Sequence, residues 1–163
     1  MASNEIKMLF EMTKVKDIMR ADVITVYEDD DFSEAEEKFT RYGINYLLVT
    51  SRDNQLVGVL SQKYIYKTQS PRKILGHEEL DYDPNIIVDG DSFYDKESLD
   101  RYILRNIMGK NPFVLFPEDP ITEAVFAMDK KNLGCIPIVD ANNKVKGILT
   151  DKEIVRFLVQ FLK

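Results

Sequence analysis

Gly58-Val59-Leu60-Ser61 and Gly147-Ile148-Leu149-Thr150 follow one pattern, and the two copies lie 89 positions apart in the chain. The same shift aligns residues on both sides of this pattern without a gap. It pairs Ile18-Met19 with Ile107-Met108, Ser33-Glu34-Ala35 with Thr122-Glu123-Ala124, and Asn54 with Asn143. An unbroken shift over roughly fifty residues indicates an internal duplication, so the fold has to be read as two copies of one unit.

Each copy has the residue pattern of a β-α-β-β-α unit. The first helix of each copy has apolar residues at helical spacing, and Asp31 and Asp119 are its expected caps, with Pro120 as the first helical residue. Ser61 and Thr150 are the expected caps of the last helix. The predicted extended segments are Val23–Val26, Tyr46–Thr50 and Leu56–Leu60 in the first copy, and Pro112–Leu115, Cys135–Val139 and Val145–Leu149 in the second.

A single unit of about fifty residues buries little apolar surface alone, so we expect the two repeats to pack sheet to sheet in an α+β fold. The predicted organisation is an N-terminal segment with a short helix (1–14), a first repeat (15–67), a long inter-repeat connection (68–103) and a second repeat (104–163). The last helix is apolar on nearly all sides, which predicts contact with two surfaces. A second subunit would supply one of them, so we expect a homodimer.

Composition excludes several classes of function. The net charge of −6 argues against general nucleic-acid binding, which needs basic patches. No apolar run approaches the roughly twenty residues of a membrane-spanning helix, and we expect a cytoplasmic protein without membrane contact. Cys135 is the only cysteine and His77 the only histidine. The sequence has no Gly-rich phosphate loop and no calcium-loop pattern, so we predict no metal, no required cofactor and no catalytic group.

The ordered set of motifs resembles the cystathionine β-synthase (CBS) domain family. Ile-Met before an extended segment, the run Cys135-Ile-Pro-Ile-Val-Asp140, and the run Gly147-Ile-Leu-Thr-Asp-Lys-Glu153 are similar to a CBS repeat. The second repeat is the better match, because the first has Leu48 and Ser51 where the second has Pro137 and Asp140. The resemblance implies a stand-alone tandem CBS pair whose clefts take adenosine-containing ligands such as AMP, ADP, ATP or S-adenosylmethionine.

The resemblance also implies which residues contact a ligand in the second repeat. Thr150 stands where the family has a phosphate-contacting hydroxyl, and Glu153 stands where the family has an aspartate that holds the ribose. The adenine base is expected near the first strand and the strand that contains the proline. The full predicted set is Val114, Leu115, Cys135, Ile136, Pro137, Thr150, Asp151 and Glu153.

The first repeat offers a weaker second cleft. Ser61 keeps the hydroxyl, but Tyr64 replaces the ribose aspartate and cannot act as a carboxylate acceptor. Tyr64 would either stack on a base or close the pocket. The predicted lining of this cleft is Thr25, Tyr46, Leu47, Ser61, Lys63 and Tyr64, and the basic groups expected nearest the phosphates of the two clefts are Lys63, Lys152 and Arg156.

Two interpretations of Thr150 and Glu153 stay open at the level of sequence. A hydroxyl and free N–H groups at a helix N-terminus form an anion site, and a carboxylate one turn later shares the same helical face. The same spacing is also an ordinary capping box. The leading functional hypothesis is a ligand-sensing regulatory module acting on an unknown regulated protein. The alternative is a dimerisation or scaffold protein with empty clefts, and an enzyme is the weakest possibility.

Overall fold

The structure is a computed structural model that describes residues 2–63 and 103–163. The predictions made for Tyr64 and for almost all of the inter-repeat connection therefore lie outside the described residues. The elements in chain order are α1 (Ala2–Met12), α2 (Val15–Ile18), β1 (Thr25–Tyr27), α3 (Phe32–Tyr42), β2 (Tyr46–Thr50), β3 (Leu56–Ser61), a 3₁₀ turn (Leu104–Asn106), β4 (Gly109–Lys110), α4 (Ile121–Lys131), β5 (Cys135–Val139), β6 (Val145–Thr150) and α5 (Asp151–Val159).

These elements confirm the predicted α+β class and the repeated order of helix, strand, strand. The N-terminal helix expected from apolar spacing is also present, as α1. The chain divides into two compact units, one formed by Met1–Val23, Asn54–Leu56 and Pro112–Lys163, the other by Ile24–Asp53 and Val57–Asn111. The first is called the C-terminal unit below, because it contains the hairpin and last helix of the second repeat. The second is called the central unit.

The central unit contains a four-stranded sheet in the order β1-β2-β3-β4. Strand β1 runs parallel to β2, with Val26 opposite Val49, and β4 runs antiparallel to β3, with Gly109 opposite Val59. The apolar face of this sheet packs against α3 and the 3₁₀ turn. The core residues are Val26, Phe32, Ala35, Phe39, Leu47, Val49, Leu60, Leu104 and Met108.

The C-terminal unit repeats this arrangement around the antiparallel hairpin of β5 and β6. Leu115 makes a parallel bridge to Ile138, and Arg20 makes an antiparallel bridge to Ile148. The repeat shift of 89 positions relates these bridges to two strand pairs of the central unit, Val26 with Val49 and Gly109 with Val59. The core residues here are Val15, Leu115, Ile121, Ala124, Ala127, Ile136, Ile138, Leu149 and Phe157.

The opening part of each repeat is called its lead-in segment: α2 to Val23 in the first repeat, and the 3₁₀ turn with β4 in the second. Each lead-in segment belongs to the compact unit that holds most of the other repeat. Helix α2 and the residues that follow it open the first repeat in sequence, yet Arg20 pairs with β6 of the second. The 3₁₀ turn and β4 open the second repeat, yet β4 pairs with β3 of the first. Each compact unit therefore contains residues from both sequence copies.

The helix caps follow the prediction in the first repeat but not in the second. Asp31 caps α3, and its Oδ1 accepts a hydrogen bond from the Glu34 N–H at 3.2 Å. The prediction that Asp119 caps α4 is wrong, because its Oδ2 instead accepts from the Phe116 N–H at 2.7 Å in the preceding turn. Pro120 keeps an extended backbone and takes the N-cap position, so α4 begins one residue later than expected.

Candidate functional site

The N-terminus of α5 places Thr150 and Glu153 in direct contact. The Thr150 N–H donates to Glu153 Oε2 at 2.9 Å, and the Thr150 hydroxyl donates to the same oxygen. The Thr150 oxygen in turn accepts from the Lys152 N–H at 3.3 Å. The two residues form the reciprocal capping box that their spacing predicts.

The Glu153 carboxylate is almost fully buried, with only 5% of the residue exposed. A buried carboxylate is costly unless hydrogen bonds and an opposite charge compensate it. Thr150 supplies two hydrogen bonds, and Arg156 Nη1 lies 3.6 Å from Glu153 Oε1. The first turn of a helix also favours a negative charge. The site can therefore hold this carboxylate in one fixed orientation.

A cavity of about 390 Å³ lies beside this carboxylate, wholly within the C-terminal unit. Its volume falls at the lower end of the range of roughly 300–1,000 Å³ that small-molecule sites occupy. The C-terminal end of α2 and the residues after it, up to Asp22, form one wall. Helix α5 forms the other. The lining residues are Asp17, Ile18, Met19, Arg20, Ala21, Asp22, Glu153, Arg156, Phe157 and Gln160.

Arg20 lines this cavity at the edge of the hairpin. Its backbone is fixed on both sides, because its N–H donates to the Ile148 carbonyl at 3.0 Å and its carbonyl accepts from the Ile148 N–H at 2.9 Å. Its side-chain Nε is buried and has no hydrogen-bond partner among the described residues. A buried donor without a partner costs free energy, which a ligand acceptor would recover.

Arg20 was not among the residues predicted from the sequence. It follows Ile18-Met19, which belongs to the repeated pattern, but the repeat alone does not indicate that this segment joins the second hairpin. Of the predicted residues, Glu153 and the basic Arg156 line the cavity, whereas Lys152 does not. Among the described residues, no group of His, Cys, Asp and Glu has an arrangement suited to a metal ion.

The remaining residues predicted for the second repeat divide between two faces of the hairpin. Cys135 lies opposite Thr150 in the ladder, and Pro137 lies two residues further on the same face. Leu115 and Ile136 belong instead to the hydrophobic core. Asp151 is exposed to solvent, and Val114 is half-buried.

Cys135 is buried, and this burial raises the pKa of its thiol to about 12. The thiol therefore stays protonated at neutral pH. A protonated thiol is neither a nucleophile nor a metal ligand. Cys135 therefore contributes to the packing of the hairpin as a small buried side chain.

Of the residues predicted for the weaker cleft, those that the structure describes lie in the central unit. Thr25 is in β1, Tyr46 and Leu47 begin β2, and Ser61 ends β3. Leu47 is completely buried in the core, whereas Lys63 is exposed. The carbonyl of Thr25 accepts a hydrogen bond from Lys38 Nζ at 2.9 Å.

Comparison with known sequences gives two matches to one family. The family model of the CBS domain matches residues 15–70 and 104–160. An uncharacterised protein of Methanocaldococcus jannaschii is 26% identical over 172 residues, covering 96% of this chain and 97% of that protein. A homoserine O-acetyltransferase of Methanohalobium evestigatum is 27% identical over 149 residues, covering 91% of this chain. The chain spans only 25% of that enzyme's length.

Solved structures share the fold. The crystal structure of CBSX2 in complex with AMP has a TM-score of 0.68 and 21% sequence identity, covering 92% of this chain and 98% of that one. The CBS domain pair of protein MJ0100, in complex with 5′-methylthioadenosine and S-adenosyl-L-methionine, has a TM-score of 0.68 and 23% identity, covering 91% and 97%. With two family matches that together cover most of its sequence, the chain belongs to the CBS-domain family, as a tandem pair.

Proposed function

We propose that this protein is a non-catalytic regulatory module that senses an adenosine-containing ligand. The observation that carries the proposal is the cavity beside α5, which is lined by Glu153 with its fixed carboxylate and by two arginines, Arg20 and Arg156. A carboxylate accepts hydrogen bonds from sugar hydroxyls, and guanidinium groups donate to phosphate. The complexes of CBSX2 with AMP and of MJ0100 with S-adenosyl-L-methionine support this class of ligand.

A regulatory role is supported by the way in which the relatives are built. The chain matches about a quarter of the length of the homoserine O-acetyltransferases. It also matches about a quarter of the length of an L-aspartate semialdehyde sulfurtransferase. A module that recurs within longer enzymes suits a role in which ligand binding changes the behaviour of an associated protein. The ligand contacts predicted from the family resemblance in both repeats stay predictions within this proposal.

The alternative function is a constitutive dimerisation or scaffold protein. Two observations favour it, and the first is that the Thr150 hydroxyl and the Glu153 carboxylate already satisfy each other in the capping box. A ligand that uses Thr150 would have to compete with this internal bond. Exposed apolar side chains on α5 are also what a scaffold would bury in a dimer.

The ligand hypothesis is tested by thermal unfolding of the full chain with AMP, ADP, ATP, S-adenosylmethionine and GTP. A ligand at about a hundred times its dissociation constant stabilises the folded state by roughly 2.7 kcal/mol. In a domain of this size that corresponds to a rise in Tm of several degrees. We expect this rise with at least one adenosine compound and none with GTP.

The matched variant in that experiment is Glu153→Gln, which keeps the shape of the side chain and removes its charge. A ligand-induced rise in Tm that shrinks in this variant would place the ligand at α5. If no adenosine compound changes the Tm of the parent, the scaffold function replaces the proposed one.

A further inference from the structure

The adenosine ligands in CBS structures similar to this chain differ in the charge of the group at the 5′ position. AMP carries a 5′-phosphate, whereas 5′-methylthioadenosine carries an uncharged thioether and S-adenosyl-L-methionine a cationic sulfonium at the same position. Building on the proposed function, we infer that Arg20 is the specificity-determining residue of the cavity and selects adenosine ligands with a 5′-phosphate.

The first step of the argument is the state of Arg20 itself. Its guanidinium carries a permanent charge, and its Nε–H is buried without a partner among the described residues. The bonds to both sides of Ile148 hold the backbone at the cavity edge. The backbone of Arg20 is therefore fixed at the cavity, and the planar guanidinium fork of arginine matches the oxygens of phosphate.

The second step concerns the carboxylates that share the cavity and compete for Arg20. Glu153 is already engaged by Thr150 and Arg156. Asp17 Oδ2 accepts from the Lys14 N–H at 3.0 Å, which caps α2. Asp22 is exposed, so water screens its charge. In the part of the chain that the structure describes, none of these three carboxylates forms a hydrogen bond or an ion pair with Arg20, which leaves its charge available to a ligand.

The third step concerns Arg156, which contributes the other positive charge. Its guanidinium lies beside the Glu153 carboxylate, and its side chain is 71% exposed. The charge of Arg156 is therefore both paired and screened by solvent. Arg20 is the residue whose loss would change the charge available inside the cavity.

The test is isothermal titration of the full chain with AMP and, separately, with 5′-methylthioadenosine. We expect the parent to bind AMP at least about tenfold more tightly, because a hydrogen bond to a charged group is among the stronger single contacts. In Arg20→Gln, the affinity for AMP should fall at least about tenfold, whereas that for 5′-methylthioadenosine should stay within about twofold. Arg41→Gln is the matched control, because Arg41 lies on α3 in the central unit and is 68% exposed.

The possible results separate this inference from the proposed function. Equal binding of the two compounds by the parent, or an unchanged preference in Arg20→Gln, overturns the role of Arg20 and leaves adenosine sensing intact. Binding of neither compound overturns the role of Arg20, and the thermal unfolding panel with all the adenosine compounds then decides the proposed function. Thermal unfolding of the ligand-free variants checks the fold, and we expect Arg20→Gln to unfold like the parent because its strand contacts are made by the backbone.

Discussion

At the scale of single residues, Glu153 belongs to both features that the sequence left as alternatives, the capping box and a candidate ligand site. Its spacing from Thr150 predicts the capping box, and the structure contains it. The same carboxylate also lines the cavity. The structural role does not exclude the ligand role, because a carboxylate has two oxygens. Thr150 donates to Oε2, and Oε1 has Arg156 at 3.6 Å.

The capping box that Glu153 forms with Thr150 predicts the effect of Glu153→Ala on stability. The change leaves the Thr150 N–H and hydroxyl without their acceptor and removes a buried side chain. We expect the free energy of unfolding in urea to fall by about 1–2 kcal/mol. Asp151→Ala is the control, since Asp151 is adjacent but exposed, and its effect should be smaller. Equal losses in the two variants would show that the buried capping box adds nothing.

At the scale of elements, the exchanged lead-in segments depend on glycines at their contact points. A Cβ on Gly147 would lie 2.6 Å from Met19 Sδ and 3.0 Å from the Arg20 carbonyl oxygen. A Cβ on Gly58, the equivalent residue of the first repeat, would lie 2.8 Å from the Gly109 carbonyl oxygen. Glycine thus lets the segment backbone approach the strand closely in both units.

Gly147→Ala should therefore loosen the segment that contains Arg20. Met19 can move, but the Arg20 carbonyl is backbone and cannot yield without weakening its pairing with Ile148. We expect a loss of about 1–3 kcal/mol in the free energy of unfolding. Hydrogen exchange at the Arg20 amide should also become faster. Gly109→Ala is the matched control, because its Cβ would meet only the Val59 carbonyl oxygen at an ordinary 3.6 Å. Unchanged exchange at Arg20 would contradict the close-contact argument.

The elements also show which parts of the structure the sequence can predict. Strands β2 and β5 have the predicted bounds, because short apolar runs and turn residues are local signals. The cap of α4 was mispredicted, because Asp119 has a competing acceptor role in its own turn. The role of Arg20 was missed for a different reason. Because the two repeats are similar, each lead-in segment could pair with either of two similar hairpins. Tertiary packing decides which hairpin it pairs with, and the local sequence does not show this.

At the scale of the whole molecule, the remaining question is what covers the outer face of α5. Phe157 is buried on its inner side, where its ring packs edge-to-face against Phe10 at 5.5 Å. The outer side exposes apolar side chains in a contiguous stretch of chain. They are Val155, Leu158, Val159, Phe161 and Leu162, each at least 40% exposed. An apolar cluster of this kind is typical of a surface that binds another protein.

We expect this face to form a homodimer, and Leu158→Asp is the change that tests it. Leu158 is 41% exposed, so an aspartate there is solvated in the monomer and the fold should be retained. In the dimer the new carboxylate would be buried without a partner, which is costly, and would face its own copy if the interface is twofold. Sedimentation equilibrium should therefore give a dimer mass for the parent and a monomer mass for Leu158→Asp. Tyr42→Asp is the control, because Tyr42 is a similarly exposed residue, at 47%, in the central unit. A dimer mass for Leu158→Asp would exclude α5 as the interface, and a monomer mass for the parent would leave the apolar face to a different protein, which is the partner a regulatory module requires.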